Sequence, residues 1–247
     1  MLSRVRADLH VHTCLSPCAD LEMSPRKIVG EAIKKSIRLL AICDHNSAAN
    51  VPAVMKAAEG SVVEVIAGIE VCSEEEVHIL ALFESSDRAL ELQSIVYDHI
   101  AGTNDPDVFG VQVVADENDE VISFEDRLLI GAVDLPLAQL LDVVHALKGI
   151  VIASHIDREC FSVVSQLGFI PGGLRFDALE ITEHCASAEA HLRYDSNGKA
   201  VFVRNSDAHL LTQIGNNTNE YLIETASFDE LQKALKKVDG RNVWREN

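Results

Sequence analysis

The sequence predicts an α/β fold in which a parallel sheet closes as a barrel with helices packed outside it. Two observations carry this. Short apolar runs alternate with amphipathic stretches along most of the 247 residues, as strand–helix repetition requires. His10, His45, Glu70, His155, Glu183 and Asp207 also fall at or just past the ends of different apolar runs. A barrel gathers such strand ends around one mouth, whereas an open sheet would spread them along an edge.

The chain opens on a strand over residues 5–10. Side chains two apart leave the same face of a strand, so His10 and His12 of Asp8-Leu9-His10-Val11-His12 can reach one metal ion. Ser24 and Pro25 supply an N-cap and a first-turn proline for a helix over 26–36. Buried strands follow at 38–43, 62–71, 77–83, 150–153, 178–181 and 201–203. Helices are expected over 51–59, 87–101, 136–148, 160–167 and 228–238, with Gly60 and Gly149 where two of them end. One stretch breaks the rhythm. Residues 102–135 carry Asn104-Asp105-Pro106-Asp107, an acidic run and only weak periodicity. They are expected as an insertion (a lid, a small subdomain or an oligomer contact) in a single domain spanning 1–247.

Composition narrows the function. The apolar fraction of 47% supplies a substantial core, aliphatic because aromatics make up only 5%. No stretch of about 18 apolar residues exists, so no membrane span is expected. The first eight residues lack the apolar segment of a signal peptide, and the six cysteines form no CxxC pair. Reduced thiols in a cytoplasmic protein are the expectation. A formal charge of −18 repels long nucleic acid. A small anionic substrate held through cations stays compatible with it.

The histidine pair does not stand alone. Asp44-His45, Glu70, His78, His155 and Ser206-Asp207-Ala208-His209 answer it along the chain. In order, DLHVHT, AICDHNS, GIEV, VHILAL, ASHIDR and SDAHL resemble the motifs of the PHP (polymerase and histidinol phosphatase) superfamily, over residues 8 to 210. The resemblance implies a distorted (β/α)7 TIM-like barrel, two or three divalent metals at the strand C-terminal ends, and phosphoester hydrolysis. It implies one metal on His10, His12, Glu70 and Asp207. Glu70 would bridge to a second, completed by His155 and His78. A third would take His45, His209 and Asp20, with Cys18 the alternative to Asp20.

Imidazole and carboxylate donors together suit Zn, Mn or Fe. Two such ions about 3.5–4 Å apart polarise a phosphoryl oxygen and activate water for in-line attack, so the expected nucleophile is metal-bound hydroxide. Arg158 is placed to clamp a phosphate, and either a metal-bound water or a histidine such as His184 to protonate the leaving group. Asp8 and Asp44, each close before a candidate ligand, are expected to orient imidazoles. The substrate expected is a small phosphorylated metabolite or nucleotide. Three alternatives stand beside this: an amidohydrolase-type C–N hydrolase; a nuclease or polymerase-associated proofreading activity, which the acidic charge disfavours on long strands but not on short oligonucleotides; and a catalytically silent, metal-stabilised regulatory domain.

Overall fold

The computed structural model describes residues 1–195 and 198–244. The chain runs β1 (Ser3–Val11), α1 (Pro25–Lys34), β2 (Leu39–Ile42), α2 (Val51–Ala58), β3 (Glu64–Cys72), β4 (His78–Phe83), α3 (Ser86–Asp98) and α4 (Pro106–Phe109). It continues β5 (Val113–Ala115), β6 (Val121–Phe124), α5 (Leu137–Ala146), β7 (Ile150–Ala153), α6 (Val163–Leu167), β8 (Ala178–Glu180) and α7 (Ser187–Tyr194). It ends β9 (Phe202–Val203), β10 (Asn219–Ile223), α8 (Phe228–Leu235) and β11 (Asn242–Trp244). The nine-stranded sheet has the order β11-β10-β1-β2-β3-β4-β7-β8-β9, and β5 and β6 pair apart from it.

The sheet curls into a nearly closed barrel. Beyond β9 the chain returns to β1: His12 N–H donates to the Ala208 carbonyl at 3.0 Å, and Ala208 N–H to the His10 carbonyl at 3.2 Å. Seven strands (β1, β2, β3, β4, β7, β8, β9) therefore ring the centre. Strands β10 and β11 extend the sheet from the first half of β1, through antiparallel pairs Ser3–Ile223 to Ala7–Asn219.

Alternation sorts side chains between two cores. Val5, Ala7, Leu9, Leu39, Ala41, Ile66, Leu80, Leu82, Ile150, Ile152, Ala178 and Val203 share the inner cluster, to which α8 adds Phe228 and Leu231. The opposite strand faces, among them Leu40, Ile42, Val65, Ala67, Ile79, Val151 and Leu179, pack on Ile28, Val54, Leu92 and Leu140 of the outer helices. The interior is tight. A Cβ on Gly68 would lie 2.7 Å from Cys43 Sγ and 2.9 Å from the Ile42 carbonyl, so this position takes a hydrogen.

The sheet is not uniformly parallel, contrary to the expectation from strand–helix alternation. Strand β4 runs antiparallel to both β3 and β7. Only residues 73–77 join β3 to β4, which suffices for a hairpin and not for a crossover helix. The 102–135 segment folds as α4, the β5–β6 hairpin and two isolated bridges, Ile100–Val133 and Thr103–Arg127. It is anchored by Asn50, whose amide donates to the Val113 carbonyl and accepts from Ala115 N–H. Among the described residues no helix is long and apolar enough to cross a membrane.

Candidate metal centre

The inner faces that line the barrel lead directly to the site. Read along each strand, the same face carries Leu39-Ala41-Cys43-His45, Ile66-Gly68-Glu70, Ala178-Glu180 and Val203-Asn205-Asp207. Strand β4 reads His78-Leu80-Leu82 in the opposite sense. Because β4 is reversed, its first residue, His78, lies at the same mouth as Glu70 near the end of β3. Strand β1 needs a further device. Between Asp8 and Val11 it advances three residues while β2 advances two, Leu40 to Ile42. This bulge shifts the pleat, so that Leu9 faces the inner core, Val11 joins the outer one, and His10 and His12 turn toward the mouth.

Three groups of donors result, in each of which the ligand atoms lie within 4.8 Å of one another: His10, His12, Glu70 and Asp207; His45, Glu70 and His78; His12, His45 and His209. In the first, His10 Nε2 and His12 Nε2 stand 3.2 Å apart. His10 Nε2 is 3.3 Å from both Glu70 Oε1 and Asp207 Oδ1. In the second, His78 Nδ1 and His45 Nδ1 lie 3.1 and 3.2 Å from the two Glu70 oxygens. His155, expected with His78 on the second metal, lies outside the three groups, its Nε2 3.4 Å from Glu70 Oε1.

The hydrogen bonds on the far side of each ring show which nitrogen is free. His10 Nδ1 faces the Glu180 carboxylate at 3.1 and 3.2 Å and donates to it. Ser16 Oγ donates to Asp44 Oδ1 at 2.7 Å and therefore accepts from His12 Nδ1 at 2.9 Å. Both rings thus turn an Nε2 lone pair inward, toward each other and toward two carboxylates. Two lone pairs at 3.2 Å repel unless a cation or proton lies between them. Asp207 Oδ1, buried among them, has no hydrogen-bond donor among the described residues. This donor set fits a divalent cation.

The electrostatics fit as well. Burial opposes it, yet Asp207, Glu180 and Glu70 hold the His10 pKa well above the ordinary imidazole range. Against the same burial, His10 and His78 hold Glu70 well below the usual carboxylate range, and His10 and His12 do so for Asp207. Burial and the neighbouring His12 push His45 well below its ordinary value and His209 to about 4. The protons that His10 and His12 hold against the buried carboxylates would be released on cation binding. His155 and Asp207 adopt φ of +28° and +49°, a left-handed backbone that non-glycine residues hold only where the surroundings enforce it.

Not every expected residue lies where the sequence suggested. Asp20 is exposed and outside all three groups. Its carboxylate accepts from Glu22 N–H at 2.7 Å in a local turn, so only its backbone, donating to the His209 carbonyl, meets the site. Cys18 is exposed and likewise outside them. His45 groups with Glu70 and His78 as well as with His209, because its strand adjoins β3. Asp8 holds no imidazole; it accepts from Ser206 N–H, Ser206 Oγ and Gly215 N–H, tying down the loop that carries Asp207. Arg158 donates to Asp207 Oδ2 at 2.6 Å. His184 is exposed beside a polar cleft that also borders His155 and Asp207.

Glu180 was missed in the sequence. It is buried and accepts from His10 Nδ1, from His155 N–H at 2.8 Å and from Asn205 Nδ2 at 2.7 Å. The usable signal was alternation, since Ala178 and Glu180 share a face; the exposed Glu183 drew attention instead.

Comparison with known proteins gives the family and the fold. The pattern of the PHP domain family matches residues 8–148, and the chain belongs to that family of metal-dependent hydrolases. No curated protein matches it. Among solved structures, the lesion-specific endonuclease PfuEndoQ from Pyrococcus furiosus superposes with a TM-score of 0.76 at 19% identity, over 98% of this chain and 58% of the endonuclease. An endonuclease Q bound to a 27-mer duplex with an abasic lesion gives 0.74 at 20% identity, again over 98% and 58%. A proposed metal-dependent phosphoesterase from Bifidobacterium adolescentis gives 0.62 at 17% identity, over 94% and 96% of the two chains. The present chain thus spans little more than half of the endonucleases' length, and likeness at these identities establishes the shared TIM-like fold.

Proposed function

We propose that the protein is a metal-dependent phosphoesterase whose cations are held by His10, His12, Glu70 and Asp207 and by Glu70, His78 and His45, with His155 beside Glu70 and His209 beside His12. The observation that carries this reading is the inward pair of Nε2 atoms at 3.2 Å, next to the donor-less Asp207 oxygen. Divalent ions there would polarise a phosphoryl oxygen and acidify a water. The chain's own residues do the rest. Glu180, and Ser16 with Asp44, hold His10 and His12 in the tautomers that leave Nε2 free. Arg158, at the wall beside Asp207, presents a guanidinium to a phosphate oxygen. His184, across the same cleft, protonates the leaving oxygen.

A nuclease reading is favoured by one observation, the likeness to endonuclease Q. The acidic net charge was a ground for setting long nucleic acid aside. A structure of the same fold was solved on a duplex, and this supports keeping DNA among the candidate substrates. The test is elemental analysis of protein purified without chelator, followed by Mn2+-supported assays. The substrates are p-nitrophenyl phosphate, bis-p-nitrophenyl phosphate, nucleotides and a duplex containing an abasic site. Bound metal and turnover that His10→Ala abolishes support the phosphoesterase, and nicking of the duplex alone selects the nuclease. Folded protein that takes up no metal overturns both. Ammonia release from amides without phosphate chemistry would instead support a C–N hydrolase, and metal uptake with no turnover a regulatory domain.

A further inference from the structure

Two cavities meet at the candidate centre and share three walls: His155, Arg158 and Asp207. The smaller, about 190 Å³, lies over the donors, bounded by His45, Glu70 and His78 and roofed by Ile130, Cys160 and Phe161. Phe161 stacks on His78 with ring centroids 4.8 Å apart. The larger, about 380 Å³, opens on the other side of Arg158 between the loop after β8 and the segment around 205–217. With a phosphoryl group over the donors, the larger cleft past Arg158 is the adjoining space for the group esterified to it.

We propose that this cleft is the leaving-group subsite and that it takes a hydroxylated aliphatic group, so that the substrates are sugar or polyol phosphates. This rests on the phosphoesterase reading and names its substrate class.

The lining argues for hydroxyls. Several polar groups there have no partner among the described residues. Gln213 spends its Oε1 on His209 N–H and Leu210 N–H and leaves its Nε2 donors free. Asn217 spends its amide donor on the Asn205 carbonyl and leaves Oδ1 free. The Asn216 amide and the Glu159 carboxylate, both exposed at the cleft, make no side-chain hydrogen bond among the described residues. Donors and acceptors are thus interleaved, and a hydroxyl is the group that both donates and accepts.

Other leaving groups fit worse. The cleft's aliphatic wall is Ile181, and its rings are the imidazoles of His155 and His184, so it offers no broad aromatic face for a nucleobase. A second anionic group would face Glu159 and Glu183, with the one lining guanidinium already shared between Asp207 and the phosphoryl group. Asp157 and Thr182 are paired with each other at 2.6 Å and form a closed wall.

The experiment compares kcat/KM for ribose 5-phosphate and glycerol 3-phosphate with that for propyl phosphate, adenosine 5′-monophosphate and an aminoalkyl phosphate. p-Nitrophenyl phosphate reports whether the centre works at all. A preference of at least about 100-fold for the hydroxylated esters over propyl phosphate is expected, because a site built for hydroxyls rejects the analogue lacking them. Asn216→Ala and Glu159→Gln, both at exposed positions, should each lower the ribose 5-phosphate to p-nitrophenyl phosphate ratio about 10-fold, chiefly through KM. A preference for the nucleotide or the amine, or an unmoved ratio in both variants, overturns the proposal. If p-nitrophenyl phosphate turns over while sugar phosphates do not, the subsite alone falls. If no phosphoester turns over, the phosphoesterase reading falls with it.

Discussion

At the residue scale, the centre depends on atoms one step removed from the donors. Glu180 fixes the His10 tautomer, reaches the His155 backbone and grips Asn205, whose Oδ1 accepts from Leu9 N–H at 2.9 Å. Glu180→Gln keeps the shape but replaces a carboxylate acceptor with an amide. Metal affinity measured by competitive chelation should fall about 10–100-fold. An affinity equal to that of the wild type would show that Glu180 does no more than brace the barrel seam. His10→Ala should cost more, removing a donor outright, and elemental analysis should show less metal per chain. The donors themselves were legible as residue types. Which oxygen or nitrogen faces which neighbour was not, because that depends on partners far along the chain: Glu180 is 170 positions from His10.

At the element scale, β3 and α8 offer sharp tests. Gly68→Ala would drive a Cβ against Cys43 Sγ, Leu82 Cδ2 and the Ile42 carbonyl at 2.7–2.9 Å. Such overpacking costs about 1–3 kcal/mol, and urea unfolding should show it as a lowered midpoint at unchanged slope. On α8, Ser227 caps the first turn, and Glu230 accepts from Arg241 Nε at 3.0 Å, Arg241 Nη2 at 3.1 Å and Glu224 N–H at 2.8 Å. The bonds from Arg241 and from Glu224 lower its pKa from 4.5 to about 2. A carboxylate depressed on folding stabilises fully above its unfolded pKa and loses that contribution as pH falls through the folded value. Glu230→Gln should therefore be destabilising by about 1 kcal/mol at neutral pH, a figure discounted for surface screening. Its deficit against the wild type should shrink between pH 4.5 and 2. A deficit constant across that range would contradict the assignment.

Strand positions were mostly legible: β2, β3, β4, β7, β8 and β9 fall within or against the apolar runs, and α1, α2, α5 and α8 lie within a few residues of their expected bounds. Strands β10 and β11 escaped. Asn219–Ile223 mixes Asn, Glu and Tyr and is half buried in alternation, so it carries no continuous apolar run. The direction of β4 was written only in the length of its loop.

At the scale of the whole molecule, the mouth concentrates charge that the fold alone does not balance. Glu70, Glu180 and Asp207 converge on five imidazoles, and against the cost of burial these carboxylates raise the pKa of His10 and His12. Ligand binding to the native state alone stabilises by about 2.7 kcal/mol when free ligand is 100 times its Kd. For a chain of this size, removing metal with a chelator should then lower Tm by about 5–10 °C, and restoring Mn2+ or Zn2+ should recover it. Equal Tm with and without chelator, on protein shown to hold metal beforehand, would mean that the ions add nothing to folding.

The sequence by itself determined the α/β class, the barrel and the identity of most candidate donors. Apolar alternation is a local property, and histidine and carboxylate side chains announce their chemistry wherever they stand. The tertiary structure decided what locality cannot hold. It set the bulge that turns His10 and His12 inward and the reversal of β4 that brings His78 to the mouth. It placed Glu180 behind His10 and left Asp20 outside the donor groups. Each of these follows from which strand lies beside which, and strand pairing is a contact between distant parts of the chain.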